Sequence, residues 1–495
     1  MPDSNPENRR GEYGAAVKWL CLICFTAATV FLAARRGMSF EQTVSIGAFA
    51  MLIMATLFFW TFHLAFAFIG VAAMLFLNVL DLNALAEETK LDVILFLIGM
   101  MIIVGVLRDL GLFSWIITRV IAVRGMSGRM FVCLTCGLGV VMSCVVDEMA
   151  AVVLAAALVF QVADVLDVKP IPFVIMAVMA INIGSAGTML GNPVGILIGQ
   201  SASPPLSFND FMIWSFPLML VEFAAVLALL LWMYRRDIAA MNAKMEERRR
   251  SGLSLGPIVA VPHRTGLAIL AVLLALLILH KGLENLLGLP PNTVLISSPV
   301  LLAGILLLWR RNRIRKYLEQ DLEWVAILFF MLLFMIAGAL ERTGTTDYLA
   351  VLFVEAFGDR QEILIPAVLG ISAVGSACIE NIVFVAAFMP VVAKLEQTPL
   401  IWALLHGACL GGNITMMGST ANIMAVGMIE KRYWTHTNFF MWLKTGLAVA
   451  LLSCLVAWAG LAILSGHMPT HAERVAAFEA ERAGARMPGR GEPGR

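Results

Sequence analysis

Two pairs of polar residues interrupt long apolar stretches and are the main candidates for chemistry in this sequence. Asp147-Glu148 lies at the centre of one apolar block, and Glu380-Asn381 lies at the centre of another. An ionisable group inside so apolar a stretch is costly and usually functional. Carboxylates that share one site cannot all be ionised unless a cation joins them. These residues therefore predict a site that binds a cation or a proton.

Each pair is followed by a segment of small and polar residues. The first segment begins at Gly184 and the second at Gly411. Glycines allow an unwound backbone, which inside a membrane must be buried in protein or line water. The carbonyls of such a backbone, with nearby threonine hydroxyls, are hard oxygen ligands for a cation. We predict broken helices over 170–200 and 399–430, each unwound at its segment.

The predicted transport and ion-binding residues come from these breaks. They are Asp147, Glu148, Glu380, Asn381, Asn182, Gly184, Ser185, Thr188, Asn192, Gly411, Gly412, Asn413, Thr415, Ser419, Thr420 and Asn422. His406, which lies about one turn before the second segment, is a candidate proton relay. No cofactor and no resident metal are predicted, and the only ions expected are a transported or coupling Na⁺ and H⁺.

Each candidate also has a structural alternative. Asp147 and Glu380 can cap the helices that follow them, since Asp is a favoured N-cap residue. The asparagine and threonine side chains can link helices by hydrogen bonds, and the glycines can allow close helix packing. His406 can be a satisfied packing residue. Cysteines near the breaks are either small buried apolar residues or soft ligands suited to trivalent arsenic or antimony.

Composition places the chain in a membrane. Of 495 residues, 60% are hydrophobic and 14% are charged, and the mean hydropathy is +0.88; soluble proteins are about 45–50% apolar. The balance of 35 Lys and Arg against 34 Asp and Glu gives no bulk basic charge to attract nucleic acid. No Walker A loop or dinucleotide fingerprint occurs, and the eight cysteines lie in apolar segments, unlike disulfide or zinc frameworks.

Nine apolar stretches predict ordinary membrane spans, which need about 20 residues; they lie at 18–34, 43–60, 63–80, 92–107, 211–234, 265–281, 292–309, 324–341 and 438–465. Two longer apolar blocks, 129–200 and 361–430, do not divide into ordinary spans. Within them, 129–166 and 362–396 predict re-entrant hairpins whose half-spans meet at the polar pairs near mid-membrane. The second helix of each hairpin begins at the acid, so its N-terminus points at the same spot.

The hairpins and broken helices form an internal repeat. Asp147 precedes Glu380 by 233 residues, and Gly184 precedes Gly411 by 227. The loop before the first copy is acidic and its counterpart is basic, and after the core helix the signs swap. Because Lys and Arg mark the cytoplasmic side, the copies are predicted to be inverted, with half-sites that face each other. Inverted repeats are typical of secondary transporters.

The predicted fold is an all-α polytopic membrane protein with about eleven transmembrane helices in two inverted repeats. The predicted parts are a polar segment with the first helix (1–40), repeat 1 (41–234), a basic cytoplasmic linker (235–264), repeat 2 (265–465) and a disordered tail (466–495). The N-terminus is expected in the cytoplasm and the C-terminus outside, in a bacterial inner membrane.

These motifs resemble those of the ion transporter superfamily, which includes arsenite permeases, NhaD-type sodium–proton antiporters, the melanosomal P protein and sodium–dicarboxylate symporters. The resemblance lies in Gly99–Val104, in Gly111-Leu112-Phe113 and in Gly411–Asn422. It covers roughly 40–465 and implies eleven spans, two hairpins, and a scaffold with a transport domain that moves as an elevator, often in a homodimer. The first tip reads Asp147-Glu148 where that branch usually has Asp-Asn, so three carboxylates cluster where two are expected.

Two transport hypotheses follow. The leading hypothesis is exchange of a cation such as Na⁺ for protons at the three carboxylates. The alternative is an anion or metalloid carrier, for arsenite or antimonite efflux or for di- or tricarboxylate symport. Helix N-termini would bind the anion, but three carboxylates would repel it unless they are protonated or cation-bound. A receptor or membrane enzyme ranks well behind, since such proteins have no obvious use for a repeat of broken helices.

Overall fold

The structure, a computed structural model, describes residues 6–59, 62–251, 262–434 and 437–485. Within those ranges the chain forms helices joined by short connections, and no strand occurs. The prediction of an all-α chain is confirmed.

The helices of the first half of the chain include both predicted interruptions of repeat 1. They are α1 Pro6–Arg35, α2 Phe40–Phe58, α3 His63–Phe76, α4 Leu82–Glu88, α5 Leu91–Asp109, α6 Leu112–Ile121, α7 Gly128–Val145, α8 Glu148–Leu166, α9 Ile171–Gly184, α10 Pro193–Ser201, α11 Phe208–Asp210, α12 Phe216–Met233 and α13 Arg235–Arg250. A π-helical turn over Phe211–Ser215 continues α11 into α12.

The helices of the second half repeat this order of hairpin and broken helix. They are α14 Arg264–Ile278, α15 His280–Leu287, α16 Thr293–Trp309, α17 Ile314–Lys316, α18 Trp324–Arg342, α19 Thr345–Phe357, α20 Gln361–Cys378, α21 Asn381–Ala393, α22 Thr398–Gly411, α23 Thr420–Tyr433, α24 Phe439–Leu464 and α25 His471–Ala485. A 3₁₀ turn and a π-helical turn flank α17, and a 3₁₀ turn follows α24.

The number of candidate spans agrees with the prediction of about eleven. Among the described residues, nine helices are long and apolar enough to cross a membrane. The count reaches eleven if each of two bent pairs is one span: α14 with α15, bent by 62°, and α16 with the segment Arg311–Asp321, bent by 94°. Each helix of the first hairpin is by length and composition itself a candidate span, so the depth of the hairpin tips stays a prediction.

The structure has helix breaks at the predicted positions. Only Val146 and Asp147 separate α7 from α8, and only Ile379 and Glu380 separate α20 from α21. The broken helices are interrupted between α9 and α10 by residues 185–192, the first unwound segment, and between α22 and α23 by residues 412–419, the second unwound segment. Side-chain caps explain the restarts: Asn192 Oδ1 accepts from the Gly195 amide at 3.0 Å, at the start of α10.

The described contacts divide the chain into two compact units. The first contains residues 1–94, 323–358 and 386–395. Its aromatic cluster joins α1 to α2 and α3, with the rings of Trp19 and Phe59 4.6 Å apart and those of Trp19 and Phe66 5.7 Å apart. A salt bridge in the same unit joins Arg342 to Glu87, with the charged atoms 3.1 Å apart.

The second unit contains residues 95–322, 359–385 and 396–495, and therefore both hairpin tips and both unwound segments. Its interior lies among α7, α9, α12, α20, α22 and α24, which pack against one another, and its largest fully buried side chains include Trp402 and Trp442. The predicted repeats are consecutive along the chain, whereas each compact unit combines segments from distant parts of it. The division into repeats therefore stays a prediction.

Two segments differ from the expected structure. The stretch predicted as a span over 63–80 ends its helix at Phe76, since Asn78 adopts a left-handed backbone with a φ of +55°. The tail expected to be disordered over 466–495 contains α25, which begins after a capping box: Thr470 Oγ1 accepts from the Glu473 amide at 3.3 Å, and the Thr470 amide donates to Glu473 Oε2 at 2.8 Å. Residues 486–495 lie outside the described ranges.

Candidate ion-binding site

The first half-site combines the tip between α7 and α8 with the first unwound segment. The Asp147 carboxylate accepts hydrogen bonds from the amides of Met149 at 2.8 Å and Ala150 at 3.2 Å, so it caps α8. The Glu148 amide donates to the Gly191 carbonyl at 3.0 Å. The tip is therefore fastened to the unwound segment through its backbone.

Glu148 is the most enclosed acid of the tips. Its residue is 4% exposed, and one carboxylate oxygen, Oε2, has no hydrogen-bond partner among the described residues. The other neighbours of the carboxylate are the side chains of Asn192 and Ser185, and it lies close enough to Asp147 and Glu380 for their charges to interact. A buried carboxylate oxygen without a donor is strongly unfavourable unless a proton or a cation joins it.

The second half-site combines the tip between α20 and α21 with the second unwound segment. Glu380 and Asn381 are 6% and 5% exposed. The Thr420 hydroxyl donates to Glu380 Oε1, and Asn381 Oδ1 accepts from the Ile382 amide at 2.9 Å. Thus the first residue of α23 holds the acid of this tip, whereas in the first half-site the acid at the equivalent position caps its own helix.

Both tips are tied to their unwound segments by equivalent threonines. Thr188 Oγ1 donates to the Cys144 carbonyl at 2.5 Å, and Thr415 Oγ1 donates to the Ala377 carbonyl at 2.7 Å. Each carbonyl belongs to the last turn of the first hairpin helix. The hydroxyl protons are thereby used within the protein, and only the oxygen lone pairs remain for a cation.

Three buried asparagines join the two broken helices. Asn182 Nδ2 donates to Asn413 Oδ1 at 2.9 Å and to Asn422 Oδ1 at 2.8 Å. Asn422 Nδ2 in turn donates to the carbonyls of Gly412 at 2.7 Å and Thr415 at 2.8 Å. The three residues are at most 1% exposed. Their amides therefore fix the second unwound segment against α9, which is the interhelical role considered as an alternative.

Asn192 and Ser419 form a matching pair of contacts between the two repeats. Asn192 Nδ2 donates to Ser185 Oγ at 2.9 Å and lies 3.3 Å from Cys409 Sγ. Ser419 Oγ donates to Asn182 Oδ1 at 3.4 Å. Cys409 occupies in α22 the position that Asn182 occupies in α9, so each broken helix contacts the unwound segment of the other repeat at an equivalent place.

The glycines that open the segments serve close packing. A Cβ on Gly184 would lie 2.9 Å from the Val140 Cα of α7, and one on Gly411 would clash with the Ala373 backbone of α20. Gly412 lies within the second unwound segment, where a Cβ would meet the Gly418 carbonyl at 3.1 Å. Only glycine therefore lets α9 and α22 approach the hairpins this closely.

The two half-sites differ in exposure. All residues from 184 to 192 are buried, whereas Thr415 and Thr420 are half-buried and Met417 is 43% exposed. Arg108, which pairs with Asp321 at 3.4 Å, is within electrostatic range of Asp147. Among the residues that the structure describes, no three His, Cys, Asp or Glu side chains are grouped as ligands of one metal ion.

One buried acid was not predicted as a site residue. Glu222, in α12, lies with its Oε1 2.8 Å from His406 Nδ1, and both residues are 0% exposed. In the sequence, Glu222 is the one acid within the stretch 211–234, which predicts only a membrane span. His406 therefore has an acidic partner, although its role as a proton relay stays a prediction.

Comparison with known proteins identifies the family. Residues 49–407 match the family model described as citrate transporter, CitMHS, which is more than half of the chain. An uncharacterized transporter of Mycobacterium tuberculosis (strain H37Rv) is 33% identical over 377 residues, covering 74% of this chain and 84% of that protein. The human P protein is 24% identical over 452 residues, covering 76% of this chain and 54% of the P protein.

The fold agrees with that of a solved transporter. The YdaH transporter of Alcanivorax borkumensis, whose crystal structure has an unusual topology, matches with a TM-score of 0.51 and 17% identity, over 79% of this chain and 90% of that chain. The predicted resemblance to the ion transporter superfamily is confirmed. The chain is a multi-pass secondary transporter, and it belongs to the citrate transporter family, CitMHS.

Proposed function

We propose that this transporter exchanges a cation such as Na⁺ for protons, with Asp147, Glu148 and Glu380 as the groups that bind them in turn. The observation that carries the proposal is the buried Glu148 carboxylate, which lies within electrostatic range of the other two acids and has one oxygen without a hydrogen-bond partner among the described residues. Three negative charges in so dry a place need compensation. Protons supply it in the empty site, and an arriving cation displaces at least one of them.

The surrounding groups suit a small cation with few water ligands. The first unwound segment is buried, and its Asn192 and Ser185 side chains are polar neighbours of the Glu148 carboxylate. Carboxylate and carbonyl oxygens are the ligands that hard cations prefer. The threonine hydroxyls keep the hairpin tips in place, and their oxygens remain available as additional ligands.

A second candidate is transport of citrate or another polycarboxylate, and it is favoured by the description of the matching family model. The N-termini of α8 and α21 point at the tips, and Arg108 lies within electrostatic range of Asp147. An anion that approaches Asp147, Glu148 and Glu380 is repelled unless protons or a metal cation neutralise it. A polycarboxylate would therefore enter together with cations.

Two of the three cysteines near the breaks have partners within the protein. The Cys144 thiol donates to the Gly184 carbonyl at 3.1 Å, and the Cys409 sulfur contacts Asn192. The sulfur atoms of Cys144 and Cys409 therefore contact polar groups of the protein, which agrees with the interpretation of these cysteines as small buried residues.

The resemblance also implies a homodimer and an elevator movement, and these remain part of the proposal. So do the inner-membrane location with its surrounding lipid, the cytoplasmic N-terminus and the external C-terminus. Sided labelling of the exposed Cys378, next to the second tip, tests the orientation. A thiol reagent that cannot cross the membrane should reach it from the outside only, and labelling solely from the cytoplasm would contradict the predicted orientation.

Transport by purified protein in liposomes tests the exchange. Internal pH is followed while Na⁺, K⁺, Li⁺, citrate, or citrate with Mg²⁺ is added singly, and empty liposomes and Asp147→Asn liposomes are the controls. A pH change evoked by a cation alone supports exchange. A pH change that requires citrate supports the second candidate, and labelled citrate uptake without any response to cations alone contradicts the first.

A further inference from the structure

Glu222 and His406 form a second ionisable pair that the exchange at the hairpin tips does not use. Glu222 lies on α12 and His406 on α22, and each is 0% exposed. Glu222 Oε1 lies 2.8 Å from His406 Nδ1, and apart from this close contact neither oxygen of Glu222 has a polar partner among the described residues. Both helices are apolar, and an uncompensated charge in such surroundings is costly.

The neighbouring serine fixes the position of one imidazole proton. His406 Nε2 lies 2.9 Å from Ser215 Oγ, and Ser215 Oγ donates its own proton to the Ala186 carbonyl at 2.6 Å. A hydroxyl has a single proton, so Ser215 can only accept from His406. The imidazole therefore carries a hydrogen on Nε2, which leaves Nδ1 facing the carboxylate.

The contact between Nδ1 and Oε1 then requires one more proton. If Nδ1 carries it, the pair is an imidazolium and a carboxylate; if Glu222 carries it, the pair is a neutral imidazole and a carboxylic acid. Without that proton, a carboxylate would face the lone pair of Nδ1 in a site closed to water, which is strongly unfavourable. The pair therefore holds one exchangeable proton and is neutral overall.

The surroundings of the pair contain few other titratable groups. α12 packs against α7, α9, α13 and α24, and α22 packs against α9, α10, α20 and α24. Within the part of the chain that the structure describes, the titratable groups that interact with Glu222 besides His406 are the thiols of Cys409 on α22 and Cys454 on α24. Neither thiol can neutralise a carboxylate, so the proton on the pair is the compensating charge.

The pair is connected to the first half-site at two points. Ser215 binds the Ala186 carbonyl, which lies in the first unwound segment. Cys409, one turn after His406 on the same helix, contacts Asn192 and interacts electrostatically with both Glu222 and Glu148. A change in the charge of the pair therefore acts on the segment that holds Glu148, and a charge bound at the tips acts on the pair.

We propose that Glu222 and His406 form a second proton-binding site of this carrier, coupled to the tip carboxylates that bind the cation and protons in turn. The inference rests on the proposed cation–proton exchange and deepens it. A cation at the tips repels the proton shared between Nδ1 and Oε1, and the proton leaves to water on the side to which the site is open. When the cation leaves, a proton returns to the pair. This proton is released in addition to any that the cation displaces at the tips, and no covalent bond other than N–H or O–H changes.

The variants Glu222→Gln and His406→Gln test the proposal in liposomes. Glutamine at 222 keeps the size of the side chain and can donate to a neutral His406, but it cannot hold the exchangeable proton. Two fluxes are compared: proton movement driven by a Na⁺ gradient, and self-exchange of radioactive Na⁺ at equal pH on both sides. We expect the first to fall at least about tenfold and the second to stay within about twofold of wild type.

Two further variants are a conservative substitution at Glu222 and a matched control at another buried acid. Glu222→Asp keeps an ionisable carboxyl and should retain proton coupling. Glu284→Gln is the matched control, since Glu284 is a buried acid, 2% exposed, whose oxygens accept from the amides of Asn292 at 3.1 Å and Val294 at 2.8 Å. It should leave the ratio of proton to Na⁺ flux unchanged. Loss of both fluxes in folded Glu222→Gln, or an unchanged ratio, would overturn the proposal.

A readout that needs no transport separates this inference from the proposed function. Infrared difference spectra recorded across a pH titration should contain, in wild type, a signal of the shared proton that both Glu222→Gln and His406→Gln lack. Identical spectra in wild type and Glu222→Gln would defeat the inference whatever the fluxes are. If the signal is present but wild type shows no cation-driven proton movement, the proposed exchange fails and the proton-binding pair stands. If Glu222→Gln does not fold, His406→Gln carries both comparisons.

Discussion

The two half-sites have equivalent threonine ties, but the tip of the first contains two acids and the tip of the second contains one acid and an amide. Thr188 and Thr415 bind equivalent carbonyls in the two hairpins. The first half-site, however, encloses a carboxylate oxygen without a hydrogen-bond partner among the described residues, in a fully buried segment, whereas the second has an amide at that position and a partly exposed segment. We therefore propose that the first half-site retains charge and that the second is the one that an ion reaches from water.

The largest effect is expected from Asp147→Asn. Asparagine caps helices about as well as aspartate, so α8 should form while the charge is lost. Because the proposed exchange needs a charged ligand at this position, transport in liposomes should fall by at least about 100-fold. Wild-type activity in Asp147→Asn would show that Asp147 is only a cap.

Glu380→Gln tests the open half-site. Glutamine can still accept from the Thr420 hydroxyl, so the contact between α21 and α23 should survive. We expect cation-driven proton movement to fall at least about tenfold, with any remaining Na⁺ flux uncoupled from protons. The measurement is the ratio of the two fluxes. An unchanged ratio at normal rates would mean that this acid serves only to position Thr420.

Asn182→Ala tests whether the second unwound segment depends on a residue of the first repeat. The variant removes the donor to two buried amide oxygens, those of Asn413 and Asn422. An unsatisfied buried acceptor costs about 1–3 kcal/mol, so the purified variant should unfold at a lower temperature than wild type. Asn182→Gln is the comparison that keeps an amide. A melting temperature equal to wild type would indicate that water replaces the lost donor.

Glu148→Gln makes the tip of the first half-site resemble that of the second. With a neutral amide beside it, Asp147 holds its proton less tightly, because a like charge no longer opposes its ionisation. The pH optimum of transport should therefore move to a more acidic value, with activity reduced but present. A full pH profile in liposomes measures this, and an optimum that stays in place or moves to alkaline pH would contradict it.

The smallest effects are expected from the two threonine ties. Thr188→Val and Thr415→Val each leave a hairpin carbonyl without its side-chain donor. Thr188 is 3% exposed, whereas Thr415 is half-buried, where water can replace the donor. Thr188→Val should lose about 1 kcal/mol or more of stability, and Thr415→Val less. Thermal unfolding in detergent compares them, and equal losses would remove the distinction in burial.

Local signals explain why the breaks were predictable. Gly, Asn and Pro within apolar helices mark the ends of α9 and α22, and the acids mark the hairpin tips, so these bounds agree with the sequence to within a few residues. Helix α25 was not predicted, because the mixed composition of the tail is typical of disorder. Its local signal is the capping box that Thr470 and Glu473 form.

Contacts between distant parts of the chain were not predictable in the same way. Asn182 binds residues 231 and 240 positions away, and Glu222 binds a histidine far along the chain. Nothing in the local pattern around either residue names its partner. The sequence therefore supports the list of polar atoms near the unwound segments, but only packing decides which of them bind each other and which remain for an ion.

The thiol of Cys378 gives the transporter a natural attachment point for a reporter. Cys378 is exposed and lies two residues before Glu380, whereas Cys144, at the end of the first hairpin helix, is buried and bound to the Gly184 carbonyl. A fluorophore or spin label should therefore attach beside the second half-site and spare the first. Replacing the exposed Cys21 and Cys24 of α1 and the partly exposed Cys133 and Cys454 leaves Cys378 as the accessible thiol, so that a change in the signal of the label reports on the surroundings of the second tip.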